Sequence, residues 1–376
     1  MLRPVSAVDL MLPDLAAGAL RGAIGQNRMR PGLIFNRQDC LGLRRHLAVV
    51  AAPPAPVGAV EARLARFLRL PAARMFPTGT EAIRATLEAL LGPQDTVIVD
   101  FGAHPATFEA VLRSGAALHR SPAGSLDGLE RRLARLGRQA RGGRLFVAVP
   151  AVSAHGSQIA ELAELSRLTQ QHGAELIADL SHDLGALGPD GRGVMEIQGC
   201  LGRVDILLGT LAPAFGAEAG FAATLDPDRL DRLHPARLPH PATLGAVLAG
   251  IDLADSADGR RRRRRLHGLA LRLRNRLMAD GLRVLGQPSP LVPVLLPPQS
   301  AQSRTALLES AGPQVTLLQA PRVAAHAPRW RIELSADHSP ADIDDLAELV
   351  LDVTRAFDRK PQQARGNRLK AGQPSY

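Results

Sequence analysis

Apolar and polar positions along this chain alternate between two periods. Short apolar runs at 96–100, 145–149, 175–179 and 204–208 have the length and bounding residues of buried strands. Helical spacing fills the intervals: a helix starts at Pro105, and Ile159, Leu162, Leu165 and Leu168 mark one face of another. Strands alternating with helices predict a mainly parallel α/β sheet covered on both faces. Ligands in such sheets gather at the C-terminal ends of strands, where Asp100, Ser153, Asp179 and Thr210 fall. Thr78-Gly79-Thr80-Glu81-Ala82 opens a helix, and its free backbone N–H groups suit a phosphate.

The pattern changes after about residue 240. An arginine-rich helix, apolar runs at 291–296 and 330–334, and a closing helix predict a smaller α+β unit. The closing helix has Ser339 as N-cap, Pro340 at its first position and Asp342 at its third, with Ile343, Leu346, Val350 and Val353 as its inward stripe. The expected organisation is an N-terminal arm and proline-containing linker (1–57), a large domain (58–239), a small C-terminal domain (240–358) and a disordered tail (359–376).

Composition narrows the class. A chain of 376 residues with 45% apolar content buries a full core. Two cysteines, Cys40 and Cys200, exclude a disulfide framework or a cysteine-rich metal site, and no metal is expected. No apolar run is long enough to span a membrane and the start lacks a secretory layout, so the expectation is a soluble cytoplasmic protein. The formal charge of +10 is carried almost wholly by arginine, most densely at Arg260–Arg265. With one Trp and one Tyr in the chain, that run reads first as a solvated helix start. Nucleic acid is disfavoured, and an anionic surface or acidic partner is the alternative. From Met1 to Arg359 there is no lysine; Lys360 and Lys370 lie in the tail.

The ordered string Asp179-Leu180-Ser181-His182-Asp183-Leu184-Gly185, Gly188-Pro189-Asp190-Gly191-Arg192-Gly193 and Gly202-Arg203-Val204-Asp205-Ile206 resembles the α-oxoamine synthase family of pyridoxal 5'-phosphate (PLP) enzymes. The resemblance extends from Asn36-Arg37-Gln38-Asp39-Cys40-Leu41-Gly42-Leu43 to Ser335-Ala336-Asp337-His338-Ser339. It implies the PLP-dependent transferase fold type I and condensation of an amino acid with an acyl thioester. It further implies that Thr78, Gly79, Thr80 and Thr210 hold the phosphate and that His104 stacks on the ring. Ser153 and His182 would contact the phenolic oxygen, and Asp179 would pair with the pyridine nitrogen. Arg331 matches the arginine that holds the substrate carboxylate.

Three departures matter. The family's cofactor-linking lysine falls on Pro213, within Gly209-Thr210-Leu211-Ala212-Pro213-Ala214-Phe215-Gly216, and proline has no amine to offer. The segment between Leu43 and Glu61 is short and lacks the family's loop, and Cys40 replaces a tyrosine. Three readings follow. The first is a degenerate, noncatalytic or regulatory subunit that binds PLP noncovalently and forms a homo- or heterodimer, preferably with a lysine-bearing paralogue. The second is an active enzyme using PLP or its pyridoxamine form without a lysine aldimine, with His182 as a candidate proton carrier. The third is a binding protein for an acidic partner through Arg260–Arg265.

Overall fold

Alternating side chains on the predicted strands divide the core into two layers, as a sheet covered on both faces requires. A computed structural model of the chain describes residues 33–122, 125–139 and 142–358; the first 32 residues of the expected arm and the tail 359–376 with both lysines lie outside them. Its main sheet has seven strands: β1 (Ala72–Phe76), β2 (Thr96–Asp100), β3 (Ala117–Ser121), β4 (Leu145–Pro150), β5 (Ala174–Asp179), β6 (Ile206–Thr210) and β7 (Gly220–Thr224). They stand in the order β1-β7-β6-β5-β4-β2-β3. All neighbours pair in parallel except β7, which runs antiparallel to both β1 and β6. Val97, Val99, Phe146, Ala148 and Ile177 pack into one buried layer, while Ile98, Val147, Val149 and Leu176 pack into the other. Both faces are therefore dry, and the near-continuous apolar runs follow from that.

Two boundaries differ from the sequence pattern. The run at 204–208 becomes a strand only from Ile206, because the Asp205 carboxylate accepts a hydrogen bond from Leu176 N at 2.7 Å and ties down the start of the neighbouring strand. Ile159 is not on the helical face; it pairs with Val152 in an isolated bridge, and the helix begins at Leu162.

A second, three-stranded sheet has the order β8 (Leu291–Leu295), β10 (Arg329–Glu333), β9 (Thr316–Leu318). The closing helix Pro340–Asp358 starts with the expected reciprocal cap: Ser339 N donates to Asp342 Oδ2 at 2.7 Å and Asp342 N donates to Ser339 Oγ at 3.1 Å. The stretch 51–57, expected as a linker, is held against the helix Pro241–Ala254. Ala55 N donates to Pro241 O at 3.0 Å, and Gly245 lies so close to Pro53 that an added Cβ would meet its carbonyl oxygen at 1.9 Å.

The arginine run bonds mostly within the chain, although four of its six residues are exposed and only Arg263 is buried. It lies in the helix Ala257–Ala279, capped by Ser256, whose hydroxyl accepts from the amides of Asp258 and Gly259. Arg263 is buried and donates to the carbonyls of Ala254 (2.7 Å) and Pro189 (3.0 Å), bracing the glycine-rich loop after β5. Arg262 reaches Leu41 O and Asp337, Arg265 reaches His338 O, and Arg260 and Arg261 pair with Asp190 and Asp258. Buried guanidinium groups persist because their planar donors can satisfy several carbonyls at once.

Candidate cofactor site

The C-terminal ends of the central strands open into a cleft of about 230 Å³. It is lined by Thr78, Gly79, Thr80, His104, Asp179, His182 and Thr210, so seven of the sequence-derived candidates share one surface. Ser153 lines an adjacent cavity between the ends of β2 and β4. Arg331 is on β10, in the second sheet, close enough to influence both His155 and His182 of the cleft.

Each wall has a local cause. Thr78 caps the helix Gly79–Leu90 by accepting from Glu81 N at 3.1 Å, which leaves the amides of Gly79 and Thr80 ahead of the helix ladder. The absence of a side chain at Gly79 is required: a Cβ there would stand 2.7 Å from Thr210 Cβ. Thr210 ends β6, donates through Oγ1 to Ala219 O and accepts from Ala212 N, both at 3.2 Å. His104 caps the helix Pro105–Arg113, with Nδ1 accepting from Ala106 N at 3.1 Å, while its ring lines the cleft.

Asp179 ends β5. Its Oδ1 accepts both the amide (2.9 Å) and the hydroxyl of Ser181, which leaves Oδ2 for a ligand. Ser181 Oγ in turn accepts from Thr210 N at 3.1 Å, joining the pyridine-side and phosphate-side walls. Burial raises the Asp179 carboxyl above its ordinary range, so a cationic partner is what would hold it ionised. His182 is pushed down to about 3 by burial, with Arg331, His155 and His104 adding repulsion. It is a neutral imidazole and a weak base.

Four lining residues with polar side chains were not among the predicted site residues: Gln38, His155, Ser181 and Glu218. Of these Ser181 had a signal, since a serine two residues after a strand-end aspartate can close a local turn onto it. Glu218 is raised by burial and puts a carboxylate near the phosphate-side wall. Pro213 is buried in the short helix Ala212–Phe215, its carbonyl accepting from Cys40 N at 2.7 Å. It borders a gap of about 20 Å³ shared with Cys40, Ser181, His182 and Glu333.

Beneath the cleft, Asp183 is fully buried. Its Oδ2 accepts from Val194 N at 2.8 Å, and its Oδ1 has no hydrogen-bond partner among the described residues. Burial lifts it from 3.8 to about 8. Its contribution to stability is complete below the unfolded value and is lost as pH rises through about 8. Asp183→Asn, which keeps an acceptor for Val194, is expected to flatten that fall in urea unfolding measured between pH 5 and pH 8. An unchanged slope would mean Asp183 is ionised throughout.

The donor set fits PLP: helix amides and threonine hydroxyls for a phosphate, a ring-sized gap beside His104, and a carboxylate for a pyridinium. Residues 52–350 match the family described as aminotransferase class I and II. The chain is 32% identical to 8-amino-7-oxononanoate synthase from Citrifermentans bemidjiense, covering 78% of this chain and 77% of the relative. It is 35% identical to the enzyme of the same name from Geobacter metallireducens, covering 79% and 77%. Among solved structures, a lysine-to-alanine variant of S. paucimobilis serine palmitoyltransferase with bound PLP–myriocin aldimine aligns with a TM-score of 0.79. It shares 23% identity over 94% of this chain and 99% of that one, a likeness of fold. The chain belongs to the α-oxoamine synthase family, PLP-dependent acyltransferases built on fold type I. Among the described residues, no helix is long and apolar enough to cross a membrane.

Proposed function

We propose that this chain is a noncatalytic member of its family that binds PLP noncovalently and works as a subunit beside a lysine-bearing paralogue. The observation that carries the reading is Pro213, with no lysine anywhere from Met1 to Arg359. When bound, PLP supplies an electron sink for carbanion chemistry. The residues of this chain would bind and orient it. Gly79, Thr80 and Thr210 would hold the phosphate, His104 would lie against the ring, and Asp179 would keep the pyridine nitrogen protonated. His182, the candidate proton carrier, takes up a proton poorly at neutral pH because burial pushes it down to about 3. That tells against an active enzyme without lysine. The pairing of Arg260, Arg261 and Arg262 with acids of this chain, and of Arg263 and Arg265 with its carbonyls, tells against a docking helix for an acidic partner.

Borohydride treatment of the PLP-mixed protein is the direct test. It is expected to attach no phosphopyridoxyl group to residues 1–359, while equilibrium dialysis detects reversible PLP. An adduct mapped into that span by peptide mass spectrometry, other than on the α-amine of Met1, would sink the reading.

Assembly tests the subunit role. Co-expression with a co-encoded lysine-bearing paralogue is expected to give a heterodimer in native mass spectrometry, because a protomer without its own lysine can still complete a partner's site at a shared interface. A homodimer that excludes every such paralogue would remove the subunit role and leave the PLP site to be judged separately.

A further inference from the structure

Arg331 and Glu333 are two residues apart on β10, so both side chains leave the same face of the sheet. Their neighbours Trp330 and Ile332 point the other way, into the core. Arg331 Nη2 lies 2.6 Å from Glu333 Oε1, and the glutamate is buried. Arg331 is also the guanidinium that both cleft histidines, His155 and His182, feel most among charged groups. Its charge reaches the cleft histidines, although its side chain lines neither the cleft nor the gap beside Pro213. Glu333 lines the gap beside Pro213, and that gap adjoins the cleft through Gln38, Ser181 and His182.

A guanidinium already paired with an internal carboxylate offers a second carboxylate little net attraction, and expelling the first would strand a buried charge. The pair is nevertheless not closed: Arg331 Nε and Glu333 Oε1 are both buried without a well-directed hydrogen bond among the described residues. One donor is thus unspent, beside a carboxylate that can accept from an ammonium or amide.

We infer that Glu333 serves as an internal carboxylate on Arg331, so that this cleft selects ligands that carry an amine and no free carboxylate. Glu333 is then the specificity-determining residue, and amino acids with a free carboxylate are refused. The inference rests on the cleft being the ligand site proposed above. Its test separates the two.

Propionate is titrated by calorimetry into the full chain without PLP, as wild type, Glu333→Gln and the double variant Glu333→Gln/Arg331→Gln. Glu333→Gln is expected to bind propionate at least about tenfold more tightly than wild type, and the double variant to lose that gain. With PLP present, the absorbance of the wild type is expected to respond to ethylamine at concentrations where L-alanine has no effect, and Glu333→Gln to respond to both. Glu333→Thr replaces Glu333→Gln if the latter does not fold. Equal propionate binding by wild type and variant, a gain that survives loss of Arg331, or a wild type that prefers L-alanine would each overturn the inference. Failure of the wild type to bind PLP would overturn the cofactor reading alone, because the propionate comparison needs no cofactor.

Discussion

Asp179→Ala is expected to weaken PLP binding roughly 10- to 100-fold, with the chain still folded. The estimate comes from the kind of contact removed. A hydrogen bond between a carboxylate and a protonated ring nitrogen contributes about 1.5–3 kcal/mol, more than a neutral pair. Without a covalent link, that contact and the phosphate seat carry the affinity between them. Asp179 is also prepared for the task. Ser181 fixes Oδ1, and burial raises the carboxyl so that it gains from a cation. Thr210→Ala should have a smaller effect, about fivefold, because its hydroxyl is already shared between Ala219 and Ala212. Fluorescence titration with circular dichroism as the folding control measures both. If neither substitution changes affinity, PLP binds somewhere other than this cleft.

Much of the sheet was legible because its strands are buried on both faces and their apolar runs are bounded by polar ends. The runs at 96–100, 145–149 and 175–179 became β2, β4 and β5 within a residue or so. The antiparallel β7 gave no comparable signal. Gly220-Phe221-Ala222-Ala223-Thr224 is small and wholly buried, and its direction depends on the short helix at Ala212–Phe215 turning the chain back. The cleft was legible where a backbone role fixes the residue, as with Thr78 as cap and Gly79 against Thr210. It was not legible where distant segments meet. Gln38, His155 and Glu218 reach the cleft from three separate parts of the chain. The arginine run shows the limit of composition: its carbonyl partners at Leu41, Ala254 and His338 exist only once the fold is made.

Pro213→Lys is expected to leave turnover in amino acid and acyl thioester condensation at least about 100-fold below that of a lysine-bearing relative, a loss on the scale of a misplaced reacting group. The position is closed. Pro213 is buried, its carbonyl is held by Cys40 N, and the neighbouring gap of about 20 Å³ has room for one water but not for a four-carbon chain. Fitting lysine there should cost about 1–3 kcal/mol of stability through overpacking. The gap also presents Glu333, which would hold the new ammonium protonated when an uncharged amine is needed to attack. His182 remains a poor proton carrier at about 3. The segment between Leu43 and Glu61 still contains the single turn Leu47–Val50, a stretch pinned to Pro241–Ala254 and the start of the helix Val57–Leu68, where the resemblance implies a longer loop. Steady-state assays paired with urea unfolding read both effects. A single variant that turns over within tenfold of an active relative would show that the lysine was the only part missing, and that Glu333 and the shortened segment are no obstacle to the reaction.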